Sequence, residues 1–154
     1  MKTRQYLIQF IGLLLVLVFA AGCGKSQPTP DPNAPKPSNP GGVGKAVALK
    51  GDSGDGASIF SQNCAVCHGD LGKGGVANPG AEEDVPTLNP IDPALKNSNL
   101  EVFAMNLDLF IEHGSSPAGT PAKIMLAFGD QGILTPQQIA DVIAYIIRLN
   151  TTEQ

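Results

Sequence analysis

A five-residue motif near the middle of the chain has the residue types and the spacing needed to attach a haem group covalently. The motif, Cys-Ala-Val-Cys-His, carries Cys64, Cys67 and His68 at its reactive positions, and this spacing is typical of c-type haem attachment. The two thiols would add across the two vinyl groups of the haem and form thioethers. His68 would then lie under the ring, where its imidazole can coordinate the iron. Because the motif occurs once, the sequence predicts one covalent haem c.

Three other chemistries also use a pair of cysteines at this spacing. The pair can form half of a zinc site, but the chain has no second pair, and His113 alone does not complete one. A redox pair of the thioredoxin type favours a preceding strand, and no strand pattern precedes Cys64. The pair can also form an ordinary disulfide. In an exported chain, the adjacent histidine favours haem attachment.

A haem iron held by His68 has a sixth position, for which the chain offers three candidates. Met125 lies in a loop just before the last predicted helix, and a loop can bring a thioether across the ring. Met105 lies inside an apolar helix, where packing over the haem is the simpler role. His113 ends that helix, where a histidine is usually solvated or caps the C-terminus.

Short helices must position these residues, because no segment shows a sustained alternation of polar and apolar residues. Helix one is predicted to begin at Asp55, a good N-cap, and to run to the region of Cys64. Glycine and proline recur over residues 69–93, which predicts a loop. The fold class expected is all-α.

Two later helices have clear boundaries in the sequence. Ser98 and Glu101 have the spacing of a capping box, and Gly114 stands where a C-cap glycine belongs. Thr135 and Gln138 form a second capping box. Apolar residues recur at the helical period in both segments: Phe103, Leu107, Phe110 and Ile111, and then Ile139, Val142, Ile143 and Ile146.

Composition limits what the chain can be. Its 154 residues suffice for one domain, and with 5% aromatic residues and no Trp its own core would be thin. The formal charge is −4, and from Gly54 onward four basic and twelve acidic side chains give −8. An acidic domain argues against a nucleic-acid partner, which would require a basic face.

The N-terminus has the features of an export signal. Lys2 and Arg4 precede an apolar run over residues 10–21, whose helical length of about 18 Å is short of the roughly 30 Å hydrocarbon core. The run ends before Cys23 in a sequence that resembles a bacterial lipobox, with Ala20 where Leu is most usual. We therefore expect a signal peptide over residues 1–22 and a lipid on Cys23. The alternatives are an uncleaved N-terminal anchor and ordinary secretion with Cys23 as a free thiol.

Residues 23–53 are expected to be a linker between the lipid and the folded domain. The segment is rich in proline and glycine and poor in apolar residues, so it cannot bury enough surface to offset its chain entropy. A semi-extended to flexible spacer is the prediction, followed by a haem domain over residues 54–154.

The domain resembles a class I cytochrome c. The resemblance rests on the attachment motif after the first helix, the segment Pro86-Thr87-Leu88, Met125, and a final helix containing Tyr145. It implies a small helical fold around one haem, with Met125 as the sixth ligand. It also implies that the Pro86 carbonyl accepts a hydrogen bond from His68, with Pro79 as an alternative, and that Leu88 packs on the haem.

The resemblance further implies a monomeric one-electron carrier with no catalytic residues. It would be lipid-anchored on the outer face of the cell membrane. Its donor would be a quinol-oxidising complex, and its acceptor an oxidase or a photosynthetic reaction centre. Two alternatives stay open: a haem enzyme with an open sixth site that reduces a small ligand, and a fixed electron-input subunit of a larger oxidoreductase.

Overall fold

A computed structural model describes residues 28–151, and within this range the α-helices surround one apolar core. The helices are α1, Ser53–Asn63; α2, Ala65–His68; α3, Leu100–His113; and α4, Pro136–Thr151. Short 3-10 turns occur at Ala46–Ala48 and Asp70–Gly72. The described residues contain isolated β-bridges but no strand, so the all-α prediction is confirmed.

The starts of two helices differ from the sequence-based prediction. The N-cap of α1 is Asp52, whose carboxylate accepts from the Gly54 and Asp55 amides at 2.7 and 3.1 Å, and Asp55 lies inside the first turn. The N-cap of α3 is Asn99, which accepts from the Glu101 amide at 2.9 Å, so the capping box predicted from Ser98 is wrong. At both helix starts, two nearby side chains are suitable N-caps: Asp52 and Asp55, and then Ser98 and Asn99. The sequence alone does not rank the two candidates.

The other predicted helix boundaries are confirmed. Gly114 follows α3 with φ of 68°, a left-handed conformation that glycine adopts without strain. At the start of α4, the Gln138 side chain accepts from the Thr135 amide at 2.9 Å, and the Gln138 amide donates to the Thr135 hydroxyl at 3.3 Å. This reciprocal pair is the predicted capping box.

The core forms where α1 and α3 pack against α4. Gly56 brings the backbone of α1 against α4, and the rings of Phe60 and Tyr145 meet with centroids 5.3 Å apart at 55°. The predicted apolar faces of α3 and α4 supply most of the remaining core: Phe103, Leu107, Ile111, Ile139, Val142, Ile143 and Ile146. The end of α1, which carries the attachment motif, is thereby held against the last helix.

The proline- and glycine-rich segment is docked on the domain where the structure describes it, which corrects the expectation of a free linker. Residues 28–52, here called the strap, contribute two buried alanines, Ala34 and Ala46. Backbone amides of the strap also donate to buried side chains of α3: Asp31 to Asn106 at 3.1 Å, and Gly44 to Asp108 at 2.6 Å. Composition predicted a spacer because it counts apolar burial only, whereas polar partners on α3 hold this backbone.

The predicted signal peptide and the Cys23 lipidation site lie outside the described residues. Within residues 28–151, no helix combines the length and the apolar character needed to cross a membrane.

Candidate haem site

The attachment motif lies at the junction of α1 and α2. Cys64 is the C-cap of α1 and the N-cap of α2, which is a single helical turn. In that turn the His68 amide donates to the Cys64 carbonyl at 2.9 Å. Both Cys64 and Cys67 are free thiols and are half-buried. Burial, with a smaller contribution from Cys67, raises the pKa of Cys64 to about 12. A redox-active pair needs a lowered thiol pKa instead, so the thioredoxin-type interpretation lacks support.

The ring of His68 is oriented by the loop that contains Pro86. Its Nδ1 lies 2.9 Å from the Pro86 carbonyl oxygen, the contact that the resemblance implies. A carbonyl only accepts, so Nδ1 carries the proton and Nε2 keeps a lone pair suited to a metal. Burial lowers the pKa of His68, although the bond to Pro86 opposes this effect, and the neutral form is favoured. The Pro79 carbonyl instead accepts from the Ala122 amide.

The loop that contains Pro86 and Leu88 is held from two sides. The amides of Leu88 and Asn89 both donate to the Gly72 carbonyl, at 2.8 and 3.0 Å. From α4, the Asn150 side chain donates to the Leu88 carbonyl at 2.8 Å and accepts from the Ile91 amide at 2.9 Å. Sequence reasoning missed Asn150, although a polar residue four positions after Ile146 on the buried face of α4 was a signal.

Met125 lies in the predicted loop before α4 and is half-buried. Its backbone pairs with Ser115 in both directions, at 2.8 and 3.0 Å. Two residues earlier, Lys123 is bound through both its amide and its carbonyl by the buried Asn78 side chain, at 2.9 and 2.8 Å. Sequence reasoning also missed Asn78, which ties the Met125 loop to the loop leading to Pro86.

The site residues converge on one core. Cys64, Leu88 and Met125 all pack against the same cluster of buried apolar side chains. The attachment motif, the Pro86 loop and the Met125 loop therefore border a common region of the domain.

The two other candidates for the sixth position have different surroundings. Met105 lies within α3 and is half-buried. His113 is buried, which corrects the expectation of a solvated residue: its Nδ1 lies 2.8 Å from Asp130 Oδ2, and its Nε2 lies 2.7 Å from the Gly42 carbonyl. With both ring nitrogens engaged, His113 has no lone pair to offer an iron.

The residues around the site fit a haem c. Large apolar side chains are exposed close in sequence to both predicted ligands: Leu71, three residues after His68, at 43%, and Ile124 and Leu126, which flank Met125, at 54% and 42%. A porphyrin is an apolar ring that would cover such surface. Two unpaired thiols and the free Nε2 of His68 match the attachment chemistry. In residues 28–151, no cluster of three or more His, Cys, Asp or Glu could hold a bare metal ion.

Comparison with known proteins agrees with this geometry. The sequence model of the family described as Cytochrome c matches residues 53–150. The chain is 40% identical over 100 residues to a cytochrome c6 of Gloeothece citriformis (strain PCC 7424), covering 65% of this chain and 74% of that protein. It is 34% identical over 100 residues to the cbb3-type cytochrome c oxidase subunit CcoP of Azospirillum sp. (strain B510), covering 62% of this chain but 30% of that subunit. No solved structure matches the chain significantly.

Proposed function

The chain belongs to the cytochrome c family, and we propose that it is a carrier of single electrons between membrane complexes, tethered to the membrane through Cys23. It is an electron-transfer protein with one covalently bound haem c, and not an enzyme. When bound, the haem supplies one-electron chemistry through its iron. The residues of this chain attach the group, orient its ligands and exclude water.

We propose that His68 and Met125 would hold the haem iron. The observation that carries this assignment is the pairing of His68 Nδ1 with the Pro86 carbonyl at 2.9 Å, which leaves Nε2 available. Of the other candidates for the sixth position, His113 is engaged through both nitrogens, and Met105 lies within α3. Met125 is therefore the candidate that remains. A thioether ligand raises the potential relative to a second imidazole. Two protein ligands also leave no open site for a substrate, which disfavours the haem-enzyme alternative.

Replacing Met125 tests the ligation directly. In Met125→Ala, the ferric protein should lose the weak far-red absorption band typical of iron bound to methionine and gain high-spin character. Met105→Ala removes the same side chain from α3 and should keep the wild-type spectrum. If instead only Met105→Ala changes the spectrum, or neither variant does, the assignment of Met125 is wrong.

For the partners, we propose a quinol-oxidising complex as donor and a terminal oxidase as acceptor, with a photosynthetic reaction centre as the other acceptor to test. The similarity to oxidase subunits named CcoP supports an oxidase. The net charge of −8 from Gly54 onward favours docking on a basic patch. Glu82, Glu83 and Asp84 form an exposed acidic run in the loop leading to Pro86 and are the proposed contact.

Neutralisation of two acidic side chains tests this docking surface. The double variant Glu82→Gln/Glu83→Gln should slow oxidation of the reduced protein by membranes of its source organism, and should flatten the dependence of the rate on salt. Asp55→Asn/Glu101→Gln removes the same charge from the first turns of α1 and α3. An equal loss of rate in both double variants would point to net charge alone, without a specific contact.

A second candidate function is a fixed electron-input subunit, which the similarity to CcoP favours. Isolation in mild detergent separates the two: a fixed subunit co-purifies with an oxidase at constant stoichiometry, whereas a carrier does not.

The proposed membrane tether depends on Cys23. The mature wild-type protein should carry the mass of a diacylglycerol and partition into membranes, and Cys23→Ser should lose both properties. A wild-type protein that begins beyond Cys23, or that lacks the lipid mass, would show that the tether is wrong while leaving the electron-transfer role intact.

A further inference from the structure

The strap reaches the segment that follows α3 through paired hydrogen bonds. The Ser38 amide donates to the Ser115 hydroxyl at 3.1 Å, and the Ser116 amide donates to the Ser38 hydroxyl at 2.8 Å. Next along the strap, the Asn39 side chain donates to the His113 carbonyl at 2.7 Å. Two consecutive strap residues thus hold the backbone of residues 113–116 in place.

The same segment holds Met125. Ser115 donates its amide to the Met125 carbonyl at 3.0 Å and accepts the Met125 amide at 2.8 Å. Gly114 lies so close that an added Cβ would come within 2.4 Å of the Met125 carbonyl oxygen. A continuous path of hydrogen bonds therefore runs from Ser38 through Ser115 to Met125.

The docking of the strap depends on a close approach at Gly41. A Cβ at Gly41 would lie 2.0 Å from His113 Nε2, the nitrogen that contacts the Gly42 carbonyl. Relief of that clash requires His113 to leave both Gly42 and Asp130, or the strap to move away. At the neighbouring Gly42, an added Cβ would meet nothing within 4 Å. The two adjacent glycines therefore provide a matched pair of positions.

We propose that the strap is a positioning element for Met125, so that the segment next to the membrane anchor helps to hold the sixth iron ligand. The proposal rests on the ligation proposed above. Ser38, Asn39 and the backbone carbonyl of Gly42, which an alanine at that position keeps, hold residues 113–116 in place. This segment in turn holds the backbone of Met125. When the strap is undocked, Met125 should leave the iron more readily, and the potential should fall because thioether ligation favours ferrous iron.

Competition with imidazole measures how firmly Met125 is held. In the full-length, haem-loaded protein in detergent, added imidazole displaces methionine, and its apparent affinity rises with the fraction of molecules whose sixth site is open. Gly41→Ala should raise this affinity about fivefold to tenfold, weaken the far-red band and lower the potential. Gly42→Ala should match the wild type in all three measurements.

Trypsin reports undocking without reference to the haem. Lys45 is exposed, but Ala46, on the other side of its cleavable bond, is buried. Gly41→Ala should therefore be cut after Lys45 faster than wild type and Gly42→Ala.

A second variant tests the path at Ser38. Ser38→Ala removes the hydroxyl that accepts from the Ser116 amide and should raise the imidazole affinity. Ser38→Thr keeps a hydroxyl and should keep the wild-type affinity. If neither Gly41→Ala nor Ser38→Ala raises the affinity, the positioning role is overturned, whatever the digestion shows. If the wild-type protein itself lacks the far-red band, the failure lies in the Met125 assignment.

Discussion

Gly56 of α1 lies directly against the carbonyl oxygen of Asp141 in α4: an added Cβ would come within 2.0 Å of that oxygen and 3.0 Å of the Tyr145 Cβ. The obstacle is helix backbone, which cannot rotate away as a side chain can. This contact sets the distance between the helix that carries the attachment motif and the last helix.

Gly56→Ala should therefore destabilise the protein by about 3 kcal/mol or more, because overpacking forces the two helices apart. Thermal unfolding of the haem-loaded protein measures the change. Gly54→Ala is the control: it lies in the first turn of α1, where an added Cβ meets only Asp52 Oδ1 at 3.1 Å, and alanine favours helix over glycine by about 1 kcal/mol. A Gly56→Ala protein as stable as Gly54→Ala would contradict the packing described for α1 and α4.

Asn150→Ala should loosen the Pro86 loop. Three hydrogen bonds of the side chain are lost, to Leu88, Ile91 and Ile146, and at about 1 kcal/mol each the unfolding free energy should fall by about 2–4 kcal/mol.

Asn63→Ala is the matched control for that change. It removes one hydrogen bond, to the Ile59 carbonyl within α1, and should cost about 1 kcal/mol or less. Denaturant unfolding compares the two variants, and equal losses would show that Asn150 does not hold the loop.

Asp108 should make stability fall as the pH rises. Burial, partly offset by the bond from the Gly44 amide, raises the pKa of Asp108 from 3.8 to about 6, and among residues 28–151 its Oδ1 has no hydrogen-bond partner. The folded state therefore holds a proton that the unfolded state has released, and stability declines between pH 3.8 and about 6.

Asp108→Asn is the test, because its amide oxygen can still accept from Gly44. Its unfolding free energy should lack the decline attributed to Asp108 and should exceed that of the wild type near neutral pH. If the unfolding free energies of the variant and the wild type change with pH in parallel, the ionisation of Asp108 does not destabilise the folded protein.

His113 should cause a second decline in the free energy of unfolding, at higher pH than the decline caused by Asp108. Burial alone lowers its pKa, but the hydrogen bonds to Asp130 and Gly42, together with the charges of Asp130 and Glu112, outweigh burial and raise it. The stability that His113 contributes is complete below its ordinary pKa of 6.5 and is lost as the pH rises through the higher folded value. His113→Gln should flatten the unfolding free energy above pH 6.5, and an unchanged slope would contradict the doubly bonded imidazolium.

Much of the local structure could be predicted because its signals lie in adjacent residues. The capping pair of Thr135 and Gln138 and the glycine after α3 act within one turn of the chain, and the structure has both. Where neighbouring side chains competed for one role, as Ser98 and Asn99 did, local reasoning chose the wrong one.

The sequence by itself determined the covalent chemistry and the helical class, because a motif of five residues and a period of 3.6 are properties of neighbouring residues. Only the tertiary structure decided that the strap docks, since its partners lie far along the chain: Gly44 and Asp108 are 64 residues apart, and Asp52 and Asp141 are 89. The same holds for Asn78, whose hydrogen bonds join two loops, and for Asn150, whose hydrogen bonds join α4 to the Pro86 loop. Such contacts depend on which polar groups the packed helices leave buried, and a buried polar group must find its partner wherever the fold brings one.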